Sequence, residues 1–433
     1  MTIAFTAPAW LTTCFGQQTI AHDWLLVTQI AERENFLQRG FPLKSEERWK
    51  YTDLSFLSRD SFMLAQTPEK AIDAVVSRLR LQNTPSILAV LLNGKYSLQF
   101  SDLSLLPEGV TLCSLANAFL DHADQIKLRL ITDSKHHPFA SLNAALVADG
   151  VYLAVSKNTR VTMPIHLLHI NSATQNFVAC PRNMVIVESG AQVNILEEHI
   201  GLDESNYFIN MVTDIDADSN AIVDYHKIQN ESPQAAHIAQ IFVTQKQDAT
   251  VNLHTLATGA HLGRDDIAVN LQARGAACQV NGFYYLNADN QQIDNHILVD
   301  HKAPYTVSEM LYKGIADKKS KVIFNGKILV HKDAQKTQSH QYNHNLTLST
   351  AAEINTKPEL EIYADDVKCA HGSTVGQLDE TALFYLRSRG IAKAQAMKIL
   401  TKSFAADVLS KITCGSIKQK MSDLITEKFA HDE

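Results

Sequence analysis

A short motif recurs along the middle of this 433-residue chain and limits the folds open to it more than any other feature. GAQVNI, NAIVDY, DATVNL and ACQVNG place Val193, Val223, Val251 and Val280 at intervals of 30, 28 and 29 residues. After a longer gap, KSKVIF at Val322 and AAEINT at Ile354 resume the pattern 32 residues apart. Each unit holds short alternating runs separated by polar turns, with hardly a helical stretch between Val151 and Gly376. A unit of that size cannot bury an apolar face by itself, so repetition at this period signals a solenoid in which each coil covers its neighbour. Antiparallel sandwiches also show many short strands, at spacings of roughly 8–12 residues. The repeated Ala in the turn before an inward Val favours stacking of equivalent positions, and hence a parallel β-helix.

The flanks read differently. Ile20 to Arg39 carries Trp24, Val27, Ile30, Ala31 and Leu37 near helical spacing, with Gly40 as a C-cap and Pro42 as a stop. In SILAVLLNGKYSLQF, two apolar runs around Asn93-Gly94 read as a hairpin, and Leu115 to Asp124 as a short helix. After Gly376, Asp379 is placed to cap a helix containing Leu383, Phe384 and Leu386 that ends at Gly390. A second helix, from about Ala392 to Ile412, puts Met397, Leu400, Phe404, Val408 and Ile412 on one stripe. That stripe either packs inward or is offered to a partner. The divisions are residues 1–125 (helical and mixed), 126–376 (β-helix core) and 377–433 (helical).

Composition excludes several classes. With 45% hydrophobic and 20% charged residues the chain has ordinary soluble makeup, and a net charge of −7 argues against a general nucleic-acid binder. No run approaches the roughly eighteen apolar residues of a membrane span. MTIAFTAPAWLTTCF has no basic stretch before its apolar residues, so no export signal is expected. Cys14, Cys113, Cys180, Cys278, Cys369 and Cys414 are scattered, with no CxxC, and read as reduced thiols of a cytoplasmic protein. Such spacing supplies no complete zinc or cluster site, so a metal centre would need ligands from a partner. GxSxG, HExxH and phosphate-loop signatures are absent.

One segment carries chemistry. EIYADDVKCAHGSTVG, Glu361 to Gly376, packs two carboxylates, a thiol and an imidazole between Asp365 and His371. If it runs as a strand, Asp365, Cys369 and His371 share a face and Asp366 points away. A thiolate beside an imidazole suits iron, zinc or iron–sulfur chemistry. The plainer alternative is a reduced cysteine and a hydrogen-bonded histidine at a strand end. His340 and His344 offer a polar path, with turn and ladder hydrogen bonding as the competing role; about 13 Å apart by strand rise, they cannot chelate one ion. His136 and His137 read as surface loop residues. Paired aspartates on a solenoid also fit an exported carbohydrate-active enzyme using Asp365 and Asp366, although the cysteine has no purpose there.

A resemblance then enters. FNGKILV, QKTQSHQYNHNLTLS, KPELEIYADDVKCAHGSTVG and LDETALFYLRSRGI, between Val322 and Ile391, resemble the C-terminal signature of the SufB/SufD family of iron–sulfur cluster assembly proteins. ERWKYTDLSFL, near the N-terminus, is similar to the SufD branch. The resemblance implies a right-handed parallel β-helix between helical ends, pairing with SufB through the β-helices, and C-terminal helices that engage a SufC ATPase. Leu383, Phe384, Met397, Leu400 and Phe404 would form that SufC surface. It further implies a non-catalytic scaffold with no stably bound cofactor, on which transient iron and a nascent cluster meet His371 and Cys369 at an interface shared with SufB. Asp365 and Asp366 would support that site or simply stabilise a turn. An exposed sheet edge makes a homodimer of the isolated chain an expectation too.

Overall fold

The computed structural model describes residues 5–17, 22–66, 72–82, 84–131, 133, 135–172 and 174–430. Two parallel sheets face each other, and the chain alternates between them for about eight turns. Sheet one runs from Gly150–Val155 and Arg182–Val187 through Tyr207–Ala217, Ala236–Gln245, Leu262–Leu271, Gln292–His301 and Lys321–Val330 to Glu353–Ile362. Sheet two runs from Ile165–Asn171 and Gln192–Gly201 through Ile222–Asn230, Thr250–Ala257, Ala277–Leu286, Val307–Ala316 and Gln338–Thr347 to Lys368–Gly376. Every second residue points inward, so Val, Ile and Leu from both sheets interlock as one continuous apolar core.

The repeat has a backbone cause. Asn158, Gly190, Asn220, Asp248, Gly275, Tyr305 and Lys336 all have φ between 56° and 75°. They occupy one corner of successive coils. Each donates its N–H to a carbonyl in the next coil, as Asn220 does to Gln247 (2.9 Å) and Tyr305 to Gln335 (2.9 Å). The next residue turns inward and must be small: Ala191, Ala221, Ala249 and Ala276, then Thr306 and Thr337, all fully buried. The left-handed region costs an L-residue roughly 1–2 kcal/mol, which explains the Asn, Asp and Gly at most of these corners.

This corner corrects the apparent register. Val193, Val223 and Val251 do stack, but the next residue in the column is Cys278, and Val280 stacks on Leu253 instead. Val322 and Ile354 pair with each other in the opposite sheet.

The first coil is closed. The hairpin Ile87–Leu92 and Lys95–Asp102 extends sheet two, its turn made by Asn93 and Gly94 with φ of 49° and 81°, and Val110–Ser114 closes sheet one. The helix Ala123–Leu130 straddles position 126, and the coils themselves begin at Gly150. Helices Ala9–Gln17, Asp23–Arg39 and Pro138–Leu146 cover the outer face of sheet one through Trp10, Phe36, Trp49, Phe139 and Phe208. Ile20, the expected start of the second of these, lies outside the described residues. His137 is not a surface residue: it is half-buried at the start of Pro138–Leu146 with its ring edge-on to Phe242 at 5.0 Å, while His136 is exposed.

At the other end three helices follow the coils: Glu380–Ser388, Lys393–Ser410 and Gly415–Ala430. Asp379 Oδ1 caps the first, accepting from Thr381 N at 2.8 Å. The third was not anticipated. It and the second half of Lys393–Ser410 bury Val408, Ile412, Ile417, Met421, Ile425 and Phe429 against outward Leu256, Phe283 and Ile315 of sheet two. Each large apolar side chain so buried contributes about 1.5–3 kcal/mol.

Candidate metal centre

Sheet one ends at Glu353–Ile362 and sheet two at Lys368–Gly376, and among the described residues neither strand has a further neighbour. The solenoid is therefore open at this end. Cys369 and His371 lie on the last strand, two residues apart on its inward face, so both side chains sit at the mouth. Their Cα atoms are about 6.6 Å apart by strand rise, within joint reach of one ion.

The columns beneath them change character as they approach the mouth. Below Cys369 stand Ser339, Ser308, Cys278 and Val251; below His371 stand Gln341, Met310, Val280 and Leu253. Apolar residues give way to hydroxyls and amides over the last three coils. Ser308 and Ser339 share a 2.7 Å hydrogen bond, and His301 Nε2 lies 2.9 Å from Ser308 Oγ. Asn343, Thr356 and Ser373 continue the network at 2.8 and 2.9 Å, and Gln341 Nε2 donates to Gly326 O at 2.9 Å. These polar groups bond mostly to one another, with Gln341 Oε1 left over, and the coil ends without an apolar plug.

Cys369 is half-buried and His371 exposed. Burial raises the Cys369 pKa, only partly offset by a backbone hydrogen bond from Ser339, so the free thiol is protonated at neutral pH. A bound cation would be needed to draw out the thiolate, which is what a metal ligand requires.

The other predicted residues separate from this pair. Asp365 and Asp366 lie in the turn before the last strand, not on it, so Asp365 does not share the strand face with Cys369 and His371. Asp366 extends the corner ladder: its carbonyl accepts from Lys336 N at 2.6 Å, its N–H donates to Gln335, and its carboxylate pairs with Lys336 Nζ. His340 and His344 are on the outer face of Gln338–Thr347, with His344 Nδ1 2.9 Å from Thr374 Oγ1. In the C-terminal helices Leu383 is buried, Met397 and Leu400 are half-buried, and Phe404 lies against Lys313, whose ammonium is 4.4 Å from the ring. Phe384, 71% exposed, leads an uncovered apolar set with Tyr385 and Ile399.

The model of the SufBD core domain of the SUF system for FeS cluster assembly matches residues 169–404, and that of the SufBD N-terminal region matches residues 27–167. The chain belongs to the SufBD family. It is 32% identical over 396 residues to an iron–sulfur cluster assembly SufBD family protein of Synechocystis, covering 89% of this chain and 87% of that one. To the iron–sulfur cluster assembly protein SufD of Escherichia coli it is 28% identical, covering 90% and 89%, and to SufD of Bacillus subtilis 24% identical, covering 96% of each. Among the described residues no helix is long and apolar enough to cross a membrane.

Two buried polar groups of this SufBD solenoid escaped sequence reasoning. Arg264, sandwiched against Trp49 at 3.6 Å from the ring, pairs with Asp266 and Asp294, while Thr52 also bonds Asp294. The family segment Glu47–Leu57 is thereby strapped across sheet one. The second group, His169, Glu197, His199, Glu231 and His237, lies inside the early coils. The signal was present: in QVNILEEH, Glu197 and His199 follow Val193 and Ile195 at inward, alternate positions.

Proposed function

We propose that this chain is the SufD-type scaffold subunit of a cytoplasmic SUF assembly complex and catalyses no covalent step itself. Its open solenoid end pairs with the matching end of a SufB-type partner, and its C-terminal helices, with Phe384, Tyr385 and Ile399 uncovered, dock a SufC-type ATPase. His371 and Cys369 contribute half of a shared site for incoming iron and the nascent cluster, the neutral imidazole as iron ligand and the thiol as a thiolate once metal is present. The reading rests chiefly on one observation: the last strand has a free edge and carries the Cys–His pair facing an uncapped, polar interior. A free edge is a template for adding another strand, so the same feature that leaves the ligand set incomplete invites the partner that completes it. ATP-driven closure of the ATPase subunits would move the two solenoids relative to each other and reshape the site. The test is His371→Ala in a reconstituted complex. Cluster assembly is expected to fall at least about tenfold with subunit association unchanged; full assembly by the variant would overturn the ligand role.

A further inference from the structure

The early coils are not lined by apolar side chains throughout. His169, Glu197 and His199 take inward positions on Ile165–Asn171 and Gln192–Gly201, Glu231 follows the strand Ile222–Asn230, and His237 lies on Ala236–Gln245. All five are at least 97% buried, save Glu231 at 94%. The rings of His169 and His199 stack at 4.3 Å, and those of His199 and His237 meet edge to face at 4.6 Å. One ligand atom from each of His199, Glu231 and His237 lies within 4.8 Å of the other two.

Hydrogen bonding leaves donor atoms of this cluster unused. His199 Nε2 bonds Glu197 Oε1 at 2.8 Å, and its Nδ1 has no hydrogen-bond partner. His237 Nδ1 pairs with Glu231 Oε2 at 2.7 Å, and its Nε2 has no hydrogen-bond partner. Buried unpaired polar atoms are destabilising, and metal coordination would pair them. A carboxylate on the far nitrogen is the device that fixes the tautomer of a metal-bound imidazole, and Glu197 stands in that relation to His199. Glu231 accepts from Asn171 Nδ2 at 3.0 Å and Gln229 Nε2 at 3.1 Å, which orients it as an ionised ligand. Lys227, the nearby buried cation, is paired with Asp265.

We propose that His199, Glu231 and His237 bind a divalent first-row transition ion inside the solenoid, with Glu197 positioning His199. Two imidazoles and a carboxylate without thiolate suit Fe²⁺, Zn²⁺, Co²⁺ or Mn²⁺. A cleft of about 710 Å³, bordered by Glu231, Asn230 and Lys420, lies on the Glu231 side of the site. The site is separate from the mouth and stands whether or not the reading of Cys369 and His371 holds.

The test loads the EDTA-treated full-length chain with Co²⁺ under anaerobic conditions. One equivalent is expected to survive desalting, with an X-ray absorption first shell of nitrogen and oxygen only. His199→Gln should weaken Co²⁺ binding at least about tenfold, whereas Cys369→Ser combined with His371→Ala should leave it unchanged. Because His199→Gln alters a packed interior, the wild-type spectrum carries the decision on its own. A sulfur shell at about 2.3 Å, binding lost in the mouth variant, or no Co²⁺ retained would overturn the proposal.

Discussion

The two ends of the solenoid use the same columns for opposite purposes. At the start, a hairpin and a helical cap seal the core, and the apolar inward positions enclose a buried polar group: the His–Glu cluster with Asn183, Thr213 and the Lys227–Asp265 pair beside it. At the finish no described residue seals the core, and the columns turn to Ser, Asn, Gln, Cys and His. The difference shows that polarity at the mouth is the way the stack is terminated while its last layer stays presentable. An apolar last layer would be an exposed hydrophobic patch, whereas a hydrogen-bonded one can face water or a partner.

A single column makes this contrast measurable. Leu253→Ala, deep in the column, should destabilise by about 2–5 kcal/mol in chemical denaturation. His371→Ala, four coils further along it, should stay within about 0.5 kcal/mol of wild type while abolishing most cluster assembly. Equal losses of stability at the two positions would remove the distinction between sealed and open ends.

Acid should separate the outer layer next. His226 and His254 stack at 5.0 Å on the outward face of sheet two, where the C-terminal helices pack and Lys411 approaches His254. Burial lowers their pKa values from 6.5 to about 3 and about 4. Both rings are neutral when folded and protonate on unfolding below about pH 6.5, so their stabilisation is present above that pH and lost as it falls toward 4. Hydrogen exchange in Gly415–Ala430 should rise over that window before exchange in the inner strands, and His226→Phe should flatten the rise.

The corner turns predict a smaller effect. Asn220→Ala should cost about 1 kcal/mol in thermal or chemical unfolding, because Asn tolerates the left-handed region better than Ala, while Asn220→Gly should be nearly neutral. The least perturbing change is Val375→Lys on the half-exposed last strand. Stability should stay within about 0.5 kcal/mol of wild type, while strand-edge pairing, with a partner or a second copy, weakens in analytical ultracentrifugation.

Much of this architecture was legible in the sequence because the corner imposes it: a residue tolerant of positive φ, a small buried residue, then an alternating run. Where the corner shifted, the reading slipped. Gly275 follows Asp248 by 27 residues, so aligning on Val-Asn picked Val280 when the corner selects Cys278. The shared face of Cys369 and His371 was legible because the two lie two residues apart on one strand. The interior histidines were not, since they come from separate coils and only the stacking register brings them together. Asp365 was misplaced for a simple reason: the strand starts at Lys368, and alternation does not run through a turn.

Strand spacing also makes this molecule a ruler. Gln192–Gly201, which carries His199, and Lys368–Gly376, which carries His371, are six steps apart in one sheet, about 29 Å at the spacing of hydrogen-bonded strands. That interval is written in backbone alone, so substitutions can alter what either position holds but only insertion or deletion of a coil can change how far apart they are.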